Sequence, residues 1–403
     1  DLGLWMTSKG ATGVKDEYDD GYVAGEQTPA QYYFSIDSLT NEISIEYGDA
    51  GITTLEVPST IDDKNVVSLT GMGSAALTSI TFAPNSHVRS VGGLGGSSIK
   101  EIALPDSVEE LKSYAFYKSK TLQTVTWPNN AAFTTIPEQA FKECEQLDDK
   151  VVATLPPSVK TIDYLAFAYC GVPQFYVSDT TVLTFTQINV PGTVERIERN
   201  AFDGCSHVSS VTIGDGVKSI GALAFASLDP AIAGKEIVLP KSVEMIEWGA
   251  FENTRYGNET NHNAVALRVM NPDLQFGEAG YPGDYNERVT IDGVTYAIPF
   301  SEGQTIYAYA TDSAGNPSMV KKLADAVADR KDSVDSSKPA YTFEWMGEAA
   351  QVTGKLPQSA TATLVQAGQP DVGNDHAEVL AAGAGRQGHI AHVVGSPVGP
   401  AVG

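Results

Sequence analysis

The residues with the most chemistry to offer are three cysteines, Cys144, Cys170 and Cys205. A thiolate can act as a nucleophile, two thiols can oxidise to a disulfide, and closely spaced Cys or His can hold zinc. The surroundings decide among these. Cys205 lies in "AFDGCSHVSSVTI", three residues after the Phe of an Ala-Phe pair, and the chain then alternates apolar with polar residues. Cys144 and Cys170 also lie three residues after such a Phe, and in further copies Ser119, Leu228 or Thr254 takes the place. A place that accepts Cys, Ser, Leu and Thr is a packing slot, and a free cysteine suits it as a small buried hydrophobe. His207 stands two residues after Cys205, but no spaced pair of Cys or His accompanies them nearby to complete a zinc site. A Cys144–Cys170 bridge between stacked turns is open on distance and would leave an odd thiol.

Other motifs carry less. "GAGRQG" at 383–388 matches a dinucleotide glycine pattern, but no acidic residue follows it. "HIAH" at 389–392 puts two histidines three apart, without a glutamate and in Gly- and Val-rich surroundings that read as an exposed loop. "DEYDDGY" at 16–22 is like a calcium loop, with Tyr18 at a ligand position and no glutamate at the twelfth. It reads as a solvated acidic segment. "NET" at 258–260 is an N-glycosylation sequon. The six histidines are scattered, so no Ser-His-Asp or Cys-His arrangement can be drawn, and the reading is of no catalytic residue, no metal and no cofactor.

The elements that would position these residues repeat. Ala-Phe recurs at 115–116, 140–141, 166–167, 201–202, 224–225 and 250–251, at intervals of 25, 26, 35, 23 and 26 residues. Each pair follows an apolar pair three apart: Val108 and Leu111, Phe133 and Ile136, Val159 and Ile162, Val194 and Ile197, Val217 and Ile220, Val243 and Ile246. Apolar-Pro precedes most of them, as in "ALPDSV", "TLPPSV" and "VLPKSV". "VSSVTI" and "LQTVTW" alternate with period two, which makes each a short strand with one face buried. The proline after the strand cannot continue its hydrogen-bond ladder. One such unit cannot bury its own apolar face, and stacking does so. Stacking lines Phe116, Phe141, Phe167, Phe202, Phe225 and Phe251 into a core ladder, with Cys144, Cys170 and Cys205 beside it. The expected fold is mainly β: a right-handed parallel solenoid of about eight turns of 23–26 residues, with degenerate first copies near "EVPSTI" and "TFAPNSHV".

The pattern L-P-x-S-V-x-x-I-x-x-x-A-F-x-x-C resembles the BspA-type leucine-rich repeats of bacterial surface and secreted proteins. "LPPSVKTIDYLAFAYC" (155–170) and "VPGTVERIERNAFDGC" (190–205) fit it closely. The segment "YYFSIDSLTNEISIEYGDAGITTLEVPSTIDDKNVVSL" is similar to the hairpin that caps the start of such arrays, and "TIYAYATDSAGNPSMVKKLADA" with "AYTFEWM" to the segment that closes them. The expected organisation is an acidic segment with a β-hairpin cap at 1–52 and the solenoid at 53–270. A C-terminal α/β cap follows at 271–347, with a helix at 318–331, then a β-rich or irregular tail at 348–403. In the helix, Ser318 serves as N-cap and Met319, Val320, Leu323 and Val327 share a side. The resemblance implies export, a place at the bacterial cell surface, and adhesion to or recognition of a host or microbial surface protein or glycan. It supplies no active site to carry over.

The totals agree with a binding role. With 26 basic and 50 acidic residues the net charge is −24, which disfavours nucleic acid and anionic lipid as partners. No run of eighteen apolar residues is present to enter a membrane. The chain begins at Asp1, as a removed signal peptide, a tag or a chosen start point would each leave it. A ligand surface is expected on the outward strand face. One row there is Thr81, Ala103, Thr126, Thr154, Asn189, Thr212 and Val238; the next is Ser79, Glu101, Thr124, Val152, Gln187, Ser210 and Glu236. Thr81, Glu101, Thr126, Gln187, Thr212 and Glu236 are the candidate binding residues. Two alternatives stand beside adhesion: an envelope spacer that displays other domains, and a β-solenoid polysaccharide-active enzyme. The enzyme needs clustered Asp with Lys or Arg, which the outward rows lack.

Overall fold

The computed structural model describes residues 2–7, 31–48, 51–71, 73–172, 184–229, 235–252, 265–277, 287–333 and 335–347, all within the unit Asp1–Ala350. The sequon at 258–260, the acidic segment at 16–22, and the "GAGRQG" and "HIAH" motifs lie outside these residues.

Each repeat contributes two strands rather than the one its alternation announces. The first is the alternating strand. Ser79–Phe82 pairs in parallel with Thr54–Val57, Glu101–Ala103 with Thr124–Thr126, and Gln187–Val190 with Ser210–Ile213. Glu236–Leu239, Ala266–Val269, Thr305–Ala308 and Thr342–Trp345 form one parallel sheet at the C-terminal end. The second strand is only two residues long and ends on the Ile of the V-x-x-I pair. Thr135–Ile136, Thr161–Ile162, Arg196–Ile197, Ser219–Ile220, Met245–Ile246 and Gln275–Phe276 make a six-stranded parallel sheet. Between the two strands the chain turns at the proline slot. There Val108, Val159, Val194, Val217 and Val243 each donate their N–H to the carbonyl three residues earlier, that of Pro105, Pro156, Pro191, Gly214 and Pro240. Both strands send their apolar side chains into one continuous core.

The Ala-Phe pair closes the rung. The amides of Phe116, Phe141, Phe167, Phe202 and Phe225 donate to the carbonyls of Ala140, Ala166, Ala201, Ala224 and Ala250 on the next rung. This ladder forces a left-handed residue just before each Ala: Tyr114, Gln139, Leu165, Asn200, Leu223 and Gly249 have φ of 63°, 52°, 54°, 57°, 57° and 57°. For a residue other than glycine such a conformation costs on the order of 1–2 kcal/mol, which the ladder bonds offset. The rings are stacked face to face: from Phe116 to Phe251, successive centroids lie 5.1, 5.2, 5.4, 5.3 and 5.1 Å apart.

One rung departs from the expected strand. Cys144 and Pro156 are twelve residues apart, against nine between Ser119 and Pro128, and the added residues wind into α1, Lys150–Ala153. Val151 and Val152 are both buried there, where the alternating strands of other rungs bury only every second residue. Val152 and Thr154 are thus not members of the outward rows. The indole N–H of Trp127 holds the helix by donating to the Val151 carbonyl at 3.1 Å.

At the N-terminal end, Gln31–Ile36 and Ile43–Gly48 form an antiparallel hairpin whose second strand runs parallel to Lys64–Leu69. At the other end a hairpin joins Arg288–Ile291 to Val294–Ala297 through Asp292 and Gly293, both with positive φ as an Asp-Gly two-residue turn requires. Helix α2 spans Met319–Ala326, shorter than the 318–331 its sequence pattern indicates. Ser318 caps it, its hydroxyl accepting from the Lys321 amide at 3.1 Å and donating to the Tyr309 carbonyl at 2.7 Å. The helix stops early because Val327 closes it as C-cap and Arg330 is drawn off to Glu287, at 2.8 Å, and to the Arg288 carbonyl.

Candidate functional site

Cys144, Cys170 and Cys205 are free and fully buried. Their thiols donate to the carbonyls of Phe116, Phe141 and Phe167, one rung back, at 3.2, 3.1 and 3.2 Å. Burial pushes each thiol well above its usual range, so none is a thiolate near neutral pH. Ser119 fills the same slot and makes the same bond, to the Leu94 carbonyl at 3.0 Å. The Cys205→Ser variant should therefore lose only about 0.5–1.5 kcal/mol of stability, as read by chemical denaturation. A cost above that of truncating the neighbouring Phe202 would contradict this account of the slot.

All six candidate binding residues are exposed on the alternating strands, which fall into four separate parallel sheets. Thr126 pairs with Ala103 and Thr212 with Asn189, while Glu101, Gln187 and Glu236 pair with Thr124, Ser210 and Ala266. α1 interrupts both rows between Thr126 and Gln187. Toward the C-terminal end the row through Val238 continues into Arg268, Tyr307 and Glu344, which the sequence reading did not select. The alternation of "ALRV", "TIYA" and "TFEW" carried the signal. Arg268 forms two 2.7 Å bonds with the Glu236 carboxylate, and its guanidinium lies 4.6 Å from the centre of the Tyr307 ring.

The second sheet carries a charge ladder. Lys160, Glu195, Lys218 and Glu244 follow one another rung by rung, joined by amide-to-carbonyl bonds, with Lys218 2.7 Å and Lys160 4.0 Å from Glu195. The lysines hold the Glu195 carboxyl below its usual range. This sheet is broken between Glu110–Leu111 and Thr135–Ile136. In neighbouring rungs the residue after the short strand (Lys112, Asp163, Glu198, Gly221 or Glu247) donates its amide to the rung before. Here that residue is Pro137, which has no N–H to give. A groove of about 810 Å³ opens at the seam, lined among others by Ser68, Arg89, Ser90, Glu110, Lys112 and Thr135. The buried Ser90 hydroxyl has no hydrogen-bond partner among the described residues.

The third surface is the edge formed by the left-handed turns. Tyr114 and Tyr164 are exposed there, at 44% and 39%, on rungs that flank Glu138 and Gln139. The Tyr114 hydroxyl donates to Glu138 at 3.2 Å and accepts from Gln139 at 2.9 Å. Further along the edge lie Asp203 and Glu252. Burial raises both carboxyls above their usual values, and the Asp203 charge raises Glu252 further. A carboxyl with a raised folded-state value binds more protons folded than unfolded. Its contribution is favourable below the unfolded value, near 4, and is lost as pH rises through the raised value. Glu252→Gln should therefore raise the melting temperature at pH 7 and leave it nearly unchanged at pH 4; equal shifts at both would contradict the sign.

Among the described residues no group of three or more His, Cys, Asp or Glu could hold a metal ion, and no helix is long and apolar enough to cross a membrane. The stacked two-strand rungs with their Ala-Phe closures define a leucine-rich repeat protein. Residues 72–184 and 181–263 match the model of the BspA type leucine rich repeat region, in six copies, and this part of the chain belongs to that family. No curated protein matches the sequence. Among solved structures, the chain is similar to a leucine-rich repeat protein from Bacteroides ovatus ATCC 8483, at 15% identity over 79% of this chain and 78% of that one, with a TM-score of 0.34. It is similar to the pneumococcal vaccine antigen PcpA at 18% identity, over 78% and 97%, with a TM-score of 0.33. The leucine-rich repeat protein of T. pallidum aligns at 18% identity over 63% and 86%, with a TM-score of 0.31.

Proposed function

We propose that this chain is a non-enzymatic binding module of the bacterial cell surface or extracellular space, whose repeats present an extended face for recognising a protein or glycan. In this reading the solenoid is right-handed and its two ends act as caps that cover the apolar ladders. The observation that carries it is the row structure. Parallel register places Ser210 beside Gln187 and Thr212 beside Asn189, and the C-terminal end of the same face adds Arg268 and Tyr307. Arginine and tyrosine are the side chains that most often anchor interfaces. Family membership supports the reading, since leucine-rich repeats commonly serve as interaction surfaces. Binding of the full chain to arrayed matrix proteins and glycans tests it: specific binding weakened by Arg268→Ala and Tyr307→Ala is the expected result. A chain that binds nothing on either array counts against the reading.

A further inference from the structure

The edge of left-handed turns between residues 114 and 169 carries a concentration of tyrosine that the fold does not require. Six rungs place Tyr, Gln, Leu, Asn, Leu and Gly at the position of Tyr114, and Ser, Glu, Tyr, Arg, Ala and Trp at that of Tyr164. The solenoid closes equally well with any of them. Yet Tyr114, Tyr117, Tyr164 and Tyr169 all fall on rungs one and three of a three-rung stretch, with Glu138, Gln139 and Lys142 on the rung between. The rings of Tyr114 and Tyr117 meet edge to face at 5.9 Å. The Lys142 ammonium lies 6.0 Å from the Tyr117 ring and 5.9 Å from that of Tyr169, bridging the two aromatic rungs. Bonds to Glu138 and Gln139 fix the Tyr114 hydroxyl and so the direction of its ring.

We propose that this edge is a platform for a neutral polysaccharide, with Tyr114 and Tyr164 as stacking surfaces and Glu138, Gln139 and Lys142 as hydroxyl-binding groups. The proposal rests on the binding-module reading and gives it a ligand class. Aromatic rings offer an electron-rich face to the C–H face of a pyranose. A carboxylate and a carboxamide can each engage neighbouring sugar hydroxyls, accepting and donating respectively. Rungs repeat at about 4.7–4.9 Å, so Tyr114 and Tyr164 sit roughly 10 Å apart along the axis, a spacing an extended sugar chain can span while lying over the rung between. Two observations select this ligand. The middle of the platform holds Lys142 and Glu143, whereas the centres of protein interfaces are depleted of charge. A chain of net charge −24 repels a polyanion such as a sulfated glycan.

The test is affinity electrophoresis of the full chain in gels containing mixed-linkage glucan, galactomannan or starch, with dextran sulfate and an immobilised matrix protein as further arms. Tyr114→Asn and Tyr164→Ala are combined, because Asn200 and Ala222 occupy those positions in other rungs and the fold accepts them. Leu39→Ala with Val294→Ala, exposed residues near the two ends and outside every candidate surface, serves as the control pair. The expected result is retardation by a neutral polysaccharide, weakened roughly tenfold or more in the tyrosine variant and unchanged in the control, with both variants melting like the parent. Retardation indifferent to the tyrosines overturns the platform and leaves the binding-module reading standing. So does binding confined to dextran sulfate or to the matrix protein. Binding to none of the probes overturns both.

Discussion

Replacing Phe202 by alanine should lower the unfolding free energy by about 3–5 kcal/mol. The ring is fully buried and lies between Phe167, at 5.4 Å and 4° between planes, and Phe225, at 5.3 Å and 8°. Truncation opens a cavity the size of a phenyl ring in the middle of the stack and breaks two ring contacts at once. The backbone on either side cannot collapse into that space. The Phe202 amide is tied to the Ala224 carbonyl and the Phe167 amide to the Ala201 carbonyl, so the rung spacing is set independently of the ring. Denaturant unfolding of the variant beside Cys205→Ser supplies the check. The two residues share a rung and full burial, but only one leaves a hole. Equal costs would mean that the stack relaxes around missing rings and that the aromatic ladder is not a rigid spine.

Replacing Gln304 by leucine should cost about 1–3 kcal/mol and act mainly at the C-terminal end. Gln304 is fully buried; its amide nitrogen donates to the Phe251 carbonyl at 3.2 Å, and its oxygen accepts from the Ser301 amide at 2.9 Å. The first of these is the bond that Cys144, Cys170, Cys205 and Ser119 make within the array. The last phenylalanine of the ladder thus has its carbonyl satisfied by a side chain from beyond the repeats. Leucine keeps the volume and removes both partners, leaving a buried carbonyl with nothing to accept from. Hydrogen exchange resolves the location. Protection should fall first in Ala266–Val269 and Thr305–Ala308, with the central rungs unaffected. A uniform loss along the chain would assign Gln304 to the core at large and not to the end of the ladder.

Much of this was legible because a repeat writes its packing into its spacing. The recurrence of Ala-Phe implies a common depth for each ring, since only equivalent places tolerate the same small-large pair. The variety at the cysteine slot, Cys, Ser or Leu, marked it as packing before any coordinate. What that variety did not reveal is that the slot also serves a hydrogen bond, because thiol and hydroxyl donate alike. The Val-Ile strand was hidden by its length: two residues have no measurable period, and pairing with the neighbouring rung is what makes them a strand. α1 and the break at Pro137 left clearer traces, three added residues in one case and a proline in the run "TTIPEQ" in the other.

The candidate surfaces divide along the same line. Thr81, Glu101, Thr126, Gln187, Thr212 and Glu236 could be placed on an outward face because alternation alone orients them. The company they keep could not. Arg268 meets Tyr307 across 39 positions, Lys160 meets Glu195 across an insertion, and Tyr114 meets Glu138 only because two left-handed turns bring successive rungs into line. What the sequence determined by itself is the rung: its apolar inside, its turns and the order in which copies follow. The tertiary structure alone decided which side chains of different rungs become neighbours. Lateral register depends on insertions and on amide-to-carbonyl pairing between copies, and no single copy contains that information.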